Sequence, residues 1–156
     1  MTTTKDLFSL EGKRAFITGG SRGLGFAMAC ALAEAGADIC FCAKHKNSVV
    51  TGMKAFEERD IEAKGYVCDV TSEAMVWLLF SELENKSCHI DILLNNAGII
   101  NRVPMTEMEV ADFRSVVDTD LTGPFIVAKT IIPYMIKRGG GKIINVCGIM
   151  SEVGRE

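Results

Sequence analysis

The chain has 156 residues, 48% hydrophobic and 24% charged, with only three prolines, which fits one globular domain over residues 1–156 and excludes disorder. A net charge of −3 and a pI near 5.5 exclude an electrostatic nucleic-acid binder, and the densest basic cluster is only Lys44, His45 and Lys46. A chain of this size buries roughly 68–70% of its unfolded surface, enough for a proper core.

The elements alternate. Ala15 to Thr18 is a short apolar run ending in glycines and reads as a first strand. Leu24 to Ala35 carries helix formers and closes at Gly36, a natural left-handed cap. Asp38 to Ala43 is unbroken in its hydrophobicity, as suits a parallel strand covered on both faces. Asn47 to Arg59 is a second helix, Gly65 to Val70 a third strand and Ser72 to Asn85 a third helix. In that third helix Met75, Leu78, Leu79 and Leu83 recur at helical spacing. Asp91 to Leu94 is strand four. Thr106 and Glu109 read as a capping box for a long helix reaching Lys137, divided or kinked at Gly123-Pro124 and Pro133. Gly139 to Gly141 ends it, and Lys142 to Val146 is strand five. Strands and helices in this order, with right-handed crossovers, give an α/β fold: a doubly wound, Rossmann-like parallel sheet.

Met1 to Arg14 has no apolar h-region and does not read as a signal peptide. The most apolar window, Gly25 to Ala43, is broken by Glu34, Gly36 and Asp38 and is not a membrane span. The six cysteines form no C-x-x-C pair, and neither His45 nor His89 offers metal-ligand spacing. They read as buried free thiols in a reducing cytosol, so the expected location is cytoplasmic and no metal is expected.

The loop after the first strand reads Thr18-Gly19-Gly20-Ser21-Arg22-Gly23-Leu24-Gly25. Between a strand and a helix N-terminus, such glycines let backbone N–H groups approach a pyrophosphate. Gly19 allows the tight turn, Gly23 the close approach of ligand, and Gly25 the packing of helix on strand. The alternative is a glycine-rich turn that holds nothing.

The spacing is G-x-x-x-G-x-G, and with Thr18 before it the loop resembles the short-chain dehydrogenase/reductase family. Cys68-Asp69-Val70 and Asn95-Asn96-Ala97-Gly98 match the family's Asp-Val pair and its N-N-A-G motif in the expected order. The resemblance covers essentially the whole chain. It implies that Gly19, Ser21, Arg22, Gly23, Leu24 and Gly25 hold the cofactor phosphates. It also implies that Asp69 and Val70 contact adenine, that Asn95 braces the sheet, and that Asn96, Ala97 and Gly98 line the ribose. Asp69 also fits a plain Asx turn before Ser72.

Cofactor choice follows from charge. An NAD site places a carboxylate at the end of strand two, whereas here Ala43 and Lys44 stand there. Lys44 and Arg22 would attract a 2′-phosphate, so NADP is expected over NAD; the alternative is two solvated surface cations.

The catalytic half of the resemblance departs from the family. The family's Tyr-x-x-x-Lys pair lies on the helix after strand five, beyond Glu156, so the chain is expected to be the cofactor-binding part of the fold, incomplete at its C-terminus. Tyr66 is followed at the fourth position by Val70, and Tyr134, though followed there by Arg138, precedes strand five, so neither matches. The serine position holds Gly148, with Ser151 three residues on as a possible substitute, and the relay asparagine position holds Asp120. Asp120 also reads as a polar residue at a helix kink.

The segments Ile99 to Met105 and Met150 to Glu156 resemble the gluconate 5-dehydrogenase branch of the family. There Arg102 would pair with a sugar-acid carboxylate, with Arg155 a second candidate; a solvated loop arginine is the alternative. Three readings stand: the NADP-binding portion of a sugar-acid oxidoreductase, a non-catalytic NADP-binding module, or a 3-oxoacyl-thioester reductase completed by another chain. The expected partner is a small-molecule substrate, with no nucleic acid and no membrane. Apolar surface on strands four and five and on the helix Val110 to Lys137 is expected to be exposed and to drive homo-oligomer formation.

Overall fold

The computed structural model describes residues 7–148. Five parallel strands, β1 (Arg14–Thr18), β2 (Asp38–Ala43), β3 (Ala63–Val67), β4 (Ile92–Asn95) and β5 (Lys142–Asn145), form one sheet in the order β3-β2-β1-β4-β5. The helices are α1 (Gly23–Glu34), α2 (Lys46–Glu57), α3 (Glu73–Asn85), α4 (Val110–Val117) and α5 (Gly123–Lys137). Strand order reverses beside β1, so the carboxyl ends of β1 and β4 flank a natural crevice.

The period of two along the strands divides the core into two layers. Ala15 and Ile17 face the layer holding Ala29 and Cys30 of α1 and Val49 and Phe56 of α2. Phe16, Cys40 and Cys42 face the opposite layer, with Val76 and Leu79 of α3 and Ile126 and Ile131 of α5. A strand apolar on both faces therefore has a covering helix on each, which is why β2 shows no alternation.

Three expectations need correction. Strand three runs Ala63–Val67, so Cys68, Asp69 and Val70 lie in the turn after it. The stretch expected as a long helix from Thr106 is instead a 3-10 turn (Met105–Glu107), α4, a π turn (Asp118–Thr122) and α5. Thr106 and Glu109 form no capping box, because Thr106 lies inside the 3-10 turn and Glu109 itself takes the N-cap position of α4, where its side chain makes no cap bond. The chain does change helical type next to Gly123-Pro124, but through the π turn before them, while Pro133 is accommodated inside α5.

The third correction concerns exposure. Strand four is buried throughout, because β1 and β5 flank it and both helical layers cover it. Of the surface expected to be exposed, Ile144 on β5 is exposed, as are Val110, Phe113, Leu121, Phe125 and Ile136 between the start of α4 and the end of α5.

Candidate functional site

A cleft of about 730 Å³ opens at the carboxyl ends of β1, β2 and β4. It gathers Gly19, Ser21, Arg22, Gly23, Leu24 and Gly25 with Ala43, Lys44, Asp69, Val70, Asn96, Ala97 and Gly98. These come from four separate stretches of sequence, brought together by the parallel sheet.

The loop after β1 depends on its glycines. Gly19 and Gly23 hold φ of +66° and +59°, which side chains with a Cβ rarely adopt. A Cβ on Gly23 would meet nothing within 4 Å, so this backbone faces open cleft. A Cβ on Gly25 would lie 2.4 Å from Asn96 Nδ2 and 2.5 Å from the Gly19 carbonyl oxygen, so only glycine lets α1 sit this close. Arg22 occupies the N-cap of α1 without a side-chain cap bond, and no acidic residue stands in the first turn. The N–H groups of that turn thus point at the cleft with a positive dipole behind them.

Thr18 locks the floor. Its Oγ1 accepts the N–H groups of Asn96 at 2.9 Å and Ala97 at 3.0 Å and lies 3.5 Å from the Leu94 carbonyl oxygen. Asn96 returns its Nδ2 to the carbonyl oxygens of Thr18 (3.1 Å) and Gly19 (3.3 Å). Asn95 is buried and donates Nδ2 to Asn145 Oδ1 at 2.9 Å and to the Pro124 carbonyl oxygen at 3.4 Å, tying β4 to β5 and α5.

Lys44 and Asp69, expected to serve different parts of a cofactor, form an ion pair with Nζ 2.7 Å from Oδ2. Asp69 also accepts the N–H and hydroxyl of Thr71 at 3.0 and 2.8 Å, so the Asx turn and the position in the cleft are both realised. Burial raises the Asp69 pKa, but the hydrogen bonds from Lys44 and Thr71 outweigh it and leave the carboxyl below its ordinary value.

Asp120 sits on the π turn, and its Oδ1 accepts the Ile99 N–H at 2.9 Å. The carboxylate anchors the segment after Asn96-Ala97-Gly98, a structural task the relay expectation did not include. Gly98 leaves room for this carboxylate, since a Cβ there would meet Asp120 Oδ1 at 3.3 Å, while Gly123 lets the start of α5 pack on Val70, whose Cγ2 would lie 2.9 Å from a Cβ. A second hollow of about 400 Å³ adjoins the cleft and is lined by Asn95, Asn96, Asp120, Leu121, Phe125 and Asn145, among others.

Other expectations are not brought to the site. Arg102 is exposed and lines neither hollow. Tyr66 stacks on Phe16 at 6.4 Å and its hydroxyl is pushed up by burial, while Tyr134 lies 3.5 Å from Ser81 Oγ; neither lines a hollow. Ser151, Arg155 and the whole segment Met150 to Glu156 lie outside the described residues. Ser48, Ser115, Thr119 and Cys42 also line the cleft without having been singled out for it, as does Cys68, quoted only as the neighbour of Asp69-Val70. Apart from Cys68 they carry no motif, and the fold places them there.

An open parallel sheet with a glycine-rich turn feeding an uncapped helix N-terminus at its switch point defines a dinucleotide-binding α/β protein. Residues 13–156 match the short chain dehydrogenase model, and the chain belongs to that family. It is 46% identical over 151 residues to a 2-dehydro-3-deoxy-D-gluconate 5-dehydrogenase of Formosa agariphila, covering 96% of this chain and 57% of that protein. It is 38% identical over 150 residues to the gluconate 5-dehydrogenase of Gluconobacter oxydans, covering 96% of this chain and 59% of that one. Among solved structures it resembles a gluconate 5-dehydrogenase from Burkholderia cenocepacia in complex with NADP and tartrate. There the TM-score is 0.90 and the identity 40%, over 98% of this chain and 60% of that one. The chain thus spans less than two thirds of the length of each of these relatives.

Proposed function

We propose that the chain forms the NADP-binding portion of a short-chain oxidoreductase of the sugar-acid type, moving hydride to or from a secondary alcohol carbon. The observation that carries this is the cleft itself, where the Gly19–Gly25 turn, Asp69-Val70 and Asn96–Gly98 converge. The residues fit the group: the open backbone at Gly23 and the uncapped turn of α1 suit a pyrophosphate, and Lys44 with Arg22 suits a 2′-phosphate. Support for NADP also comes from the Burkholderia relative solved with it. Bound there, the nicotinamide supplies hydride transfer; the chain binds, orients and shields it. The substrate class rests on the gluconate and 2-dehydro-3-deoxy-gluconate relatives.

Titrating the chain with NADPH and NADH by fluorescence tests the cofactor half. Tighter NADPH binding that weakens as salt rises supports it; equal, salt-independent affinities contradict it. Turnover of 5-ketogluconate or 2-dehydro-3-deoxy-gluconate with NADPH tests the rest.

A second reading, an NADP-binding module without redox catalysis, is favoured by one observation. Gly148, which has no hydroxyl, stands where the family resemblance puts a serine. NADPH binding with no turnover by the isolated chain supports it, and turnover removes it. Reduction of a 3-oxoacyl thioester only when another chain is added marks the third possibility.

A further inference from the structure

The cleft holds an ion pair in the place where one of its two members is wanted by a ligand. Lys44 follows β2 and Asp69 lies in the turn after β3; both line the cleft, with Nζ 2.7 Å from Oδ2. The sheet brings them together, since Ala43 and Val67 are paired on the neighbouring strands. The other carboxylate oxygen, Oδ1, is filled by the N–H and hydroxyl of Thr71 at 3.0 and 2.8 Å. Oδ2 is therefore the oxygen left for a ligand, and Lys44 stands on it. Thr71 fixes Asp69 in place, whereas the Lys44 side chain is 63% exposed against 23% for Asp69, so the ammonium is the half of the pair with room to move. Ala43 and Val70, both nearly buried, give the same part of the cleft apolar walls that suit a flat base.

From this arrangement, and resting on the NADP reading above, we infer that Lys44 is a shuttle between Asp69 and the cofactor's 2′-phosphate, and that its transfer releases Asp69 Oδ2 to the amino group of adenine. In the empty cleft the two charges pair with each other, and a pair this exposed to water on one side stabilises little. A 2′-phosphate offers the ammonium more negative charge and three acceptor oxygens. Once Lys44 moves, Asp69 is a carboxylate held by Thr71 alone, and such an anion accepts a new donor strongly. The adenine amino group donates; the carbonyl oxygen that replaces it in hypoxanthine does not. With NAD no phosphate draws Lys44 away, and the amino group finds Oδ2 occupied. Recognition of the phosphate and recognition of the base are thus coupled through one lysine. By reciprocity the amino group strengthens phosphate binding as much as the phosphate strengthens binding of the amino group.

Calorimetric titration of the full chain with NADP, NAD and the hypoxanthine analogue of each tests this. In wild type, replacing adenine by hypoxanthine is expected to weaken NADP binding about tenfold and NAD binding less than about twofold, a charged hydrogen bond being made in one complex and not in the other. Asp69→Asn keeps an oxygen for Thr71 but presents no anion to Lys44 or to the amino group, so both ratios should fall to about one. Equal hypoxanthine penalties for NADP and NAD in wild type would overturn the inference, as would a difference that survives in Asp69→Asn. If none of the dinucleotides binds, the cofactor reading falls and the inference with it. If NADP binds more tightly than NAD but the penalties are equal, the cofactor reading stands and the inference fails alone. Should Asp69→Asn not fold, the wild-type comparison decides.

Discussion

Lys44 holds a carboxylate at 2.7 Å and also borders the cleft where a 2′-phosphate is proposed to sit. A doubly charged phosphate competes with Asp69 for that ammonium, and Lys44 is largely exposed, so solvent damps the gain. Lys44→Ala is expected to weaken NADP binding by about tenfold, the scale of one charged hydrogen bond, and to leave NAD binding little changed. Parallel titrations of the two cofactors check it. Asp69 gives a pH signature. Its folded pKa is depressed, so its contribution to stability is present above the unfolded value of about 3.9 and is lost as pH falls through the folded value. Thermal melts of Asp69→Asn should therefore lose less stability than wild type as pH falls through and below about 4. Melts with identical acid limbs would contradict it. The type of residue at each position was readable from the sequence, because charge and motif name it. The pairing was not, since it depends on β2 and β3 being neighbours and on the chain turning after Val67.

Elements place these residues, and the turn from β1 into α1 carries the most constraint. Gly25→Ala forces a Cβ against Asn96 and the Gly19 backbone and is expected to cost about 1–3 kcal/mol of stability as well as weaken NADPH binding. Thr18→Val leaves two half-buried N–H groups without their acceptor and is expected to cost about 1–2 kcal/mol, read by denaturant unfolding. This turn was legible because nothing but glycine satisfies a positive φ and a close helix at once. The helical stretch after β4 was less so. A single π turn inside a helical stretch leaves no sequence signal of its own, so Thr106 to Lys137 read as one stretch from its capping signal to its glycines. The structure instead uses Asp118–Thr122 to swing Asp120 onto the Ile99 N–H. Strand three ended early for a similar reason: hydrophobicity continues through Val70, but the backbone leaves the sheet at Cys68 to build the Asx turn of Asp69 and Thr71.

At the scale of the molecule, the five-strand order places one crevice at the carboxyl ends and leaves β5 as an edge. Ile144 on that edge and Phe113, Leu121, Phe125 and Ile136 on the stretch from α4 to α5 are large apolar side chains left exposed, and such groups favour association where they adjoin. Self-association of the chain is expected at micromolar concentration, and sedimentation showing a well-behaved monomer would contradict it. The doubly wound class and the cofactor cleft were legible because alternating elements and glycine spacing are local signals. Which strand stays buried was not, since β4 owes its burial to β5 and to both helical layers. The central claim is that this sheet binds NADP at its switch point. Hydrogen–deuterium exchange with and without NADP tests it most directly. The account predicts added protection in Gly19–Gly25, Asp69-Val70 and Asn96–Gly98, with little change in the core of α3. No protection in those segments under saturating NADP, or protection confined to other surfaces, would contradict it.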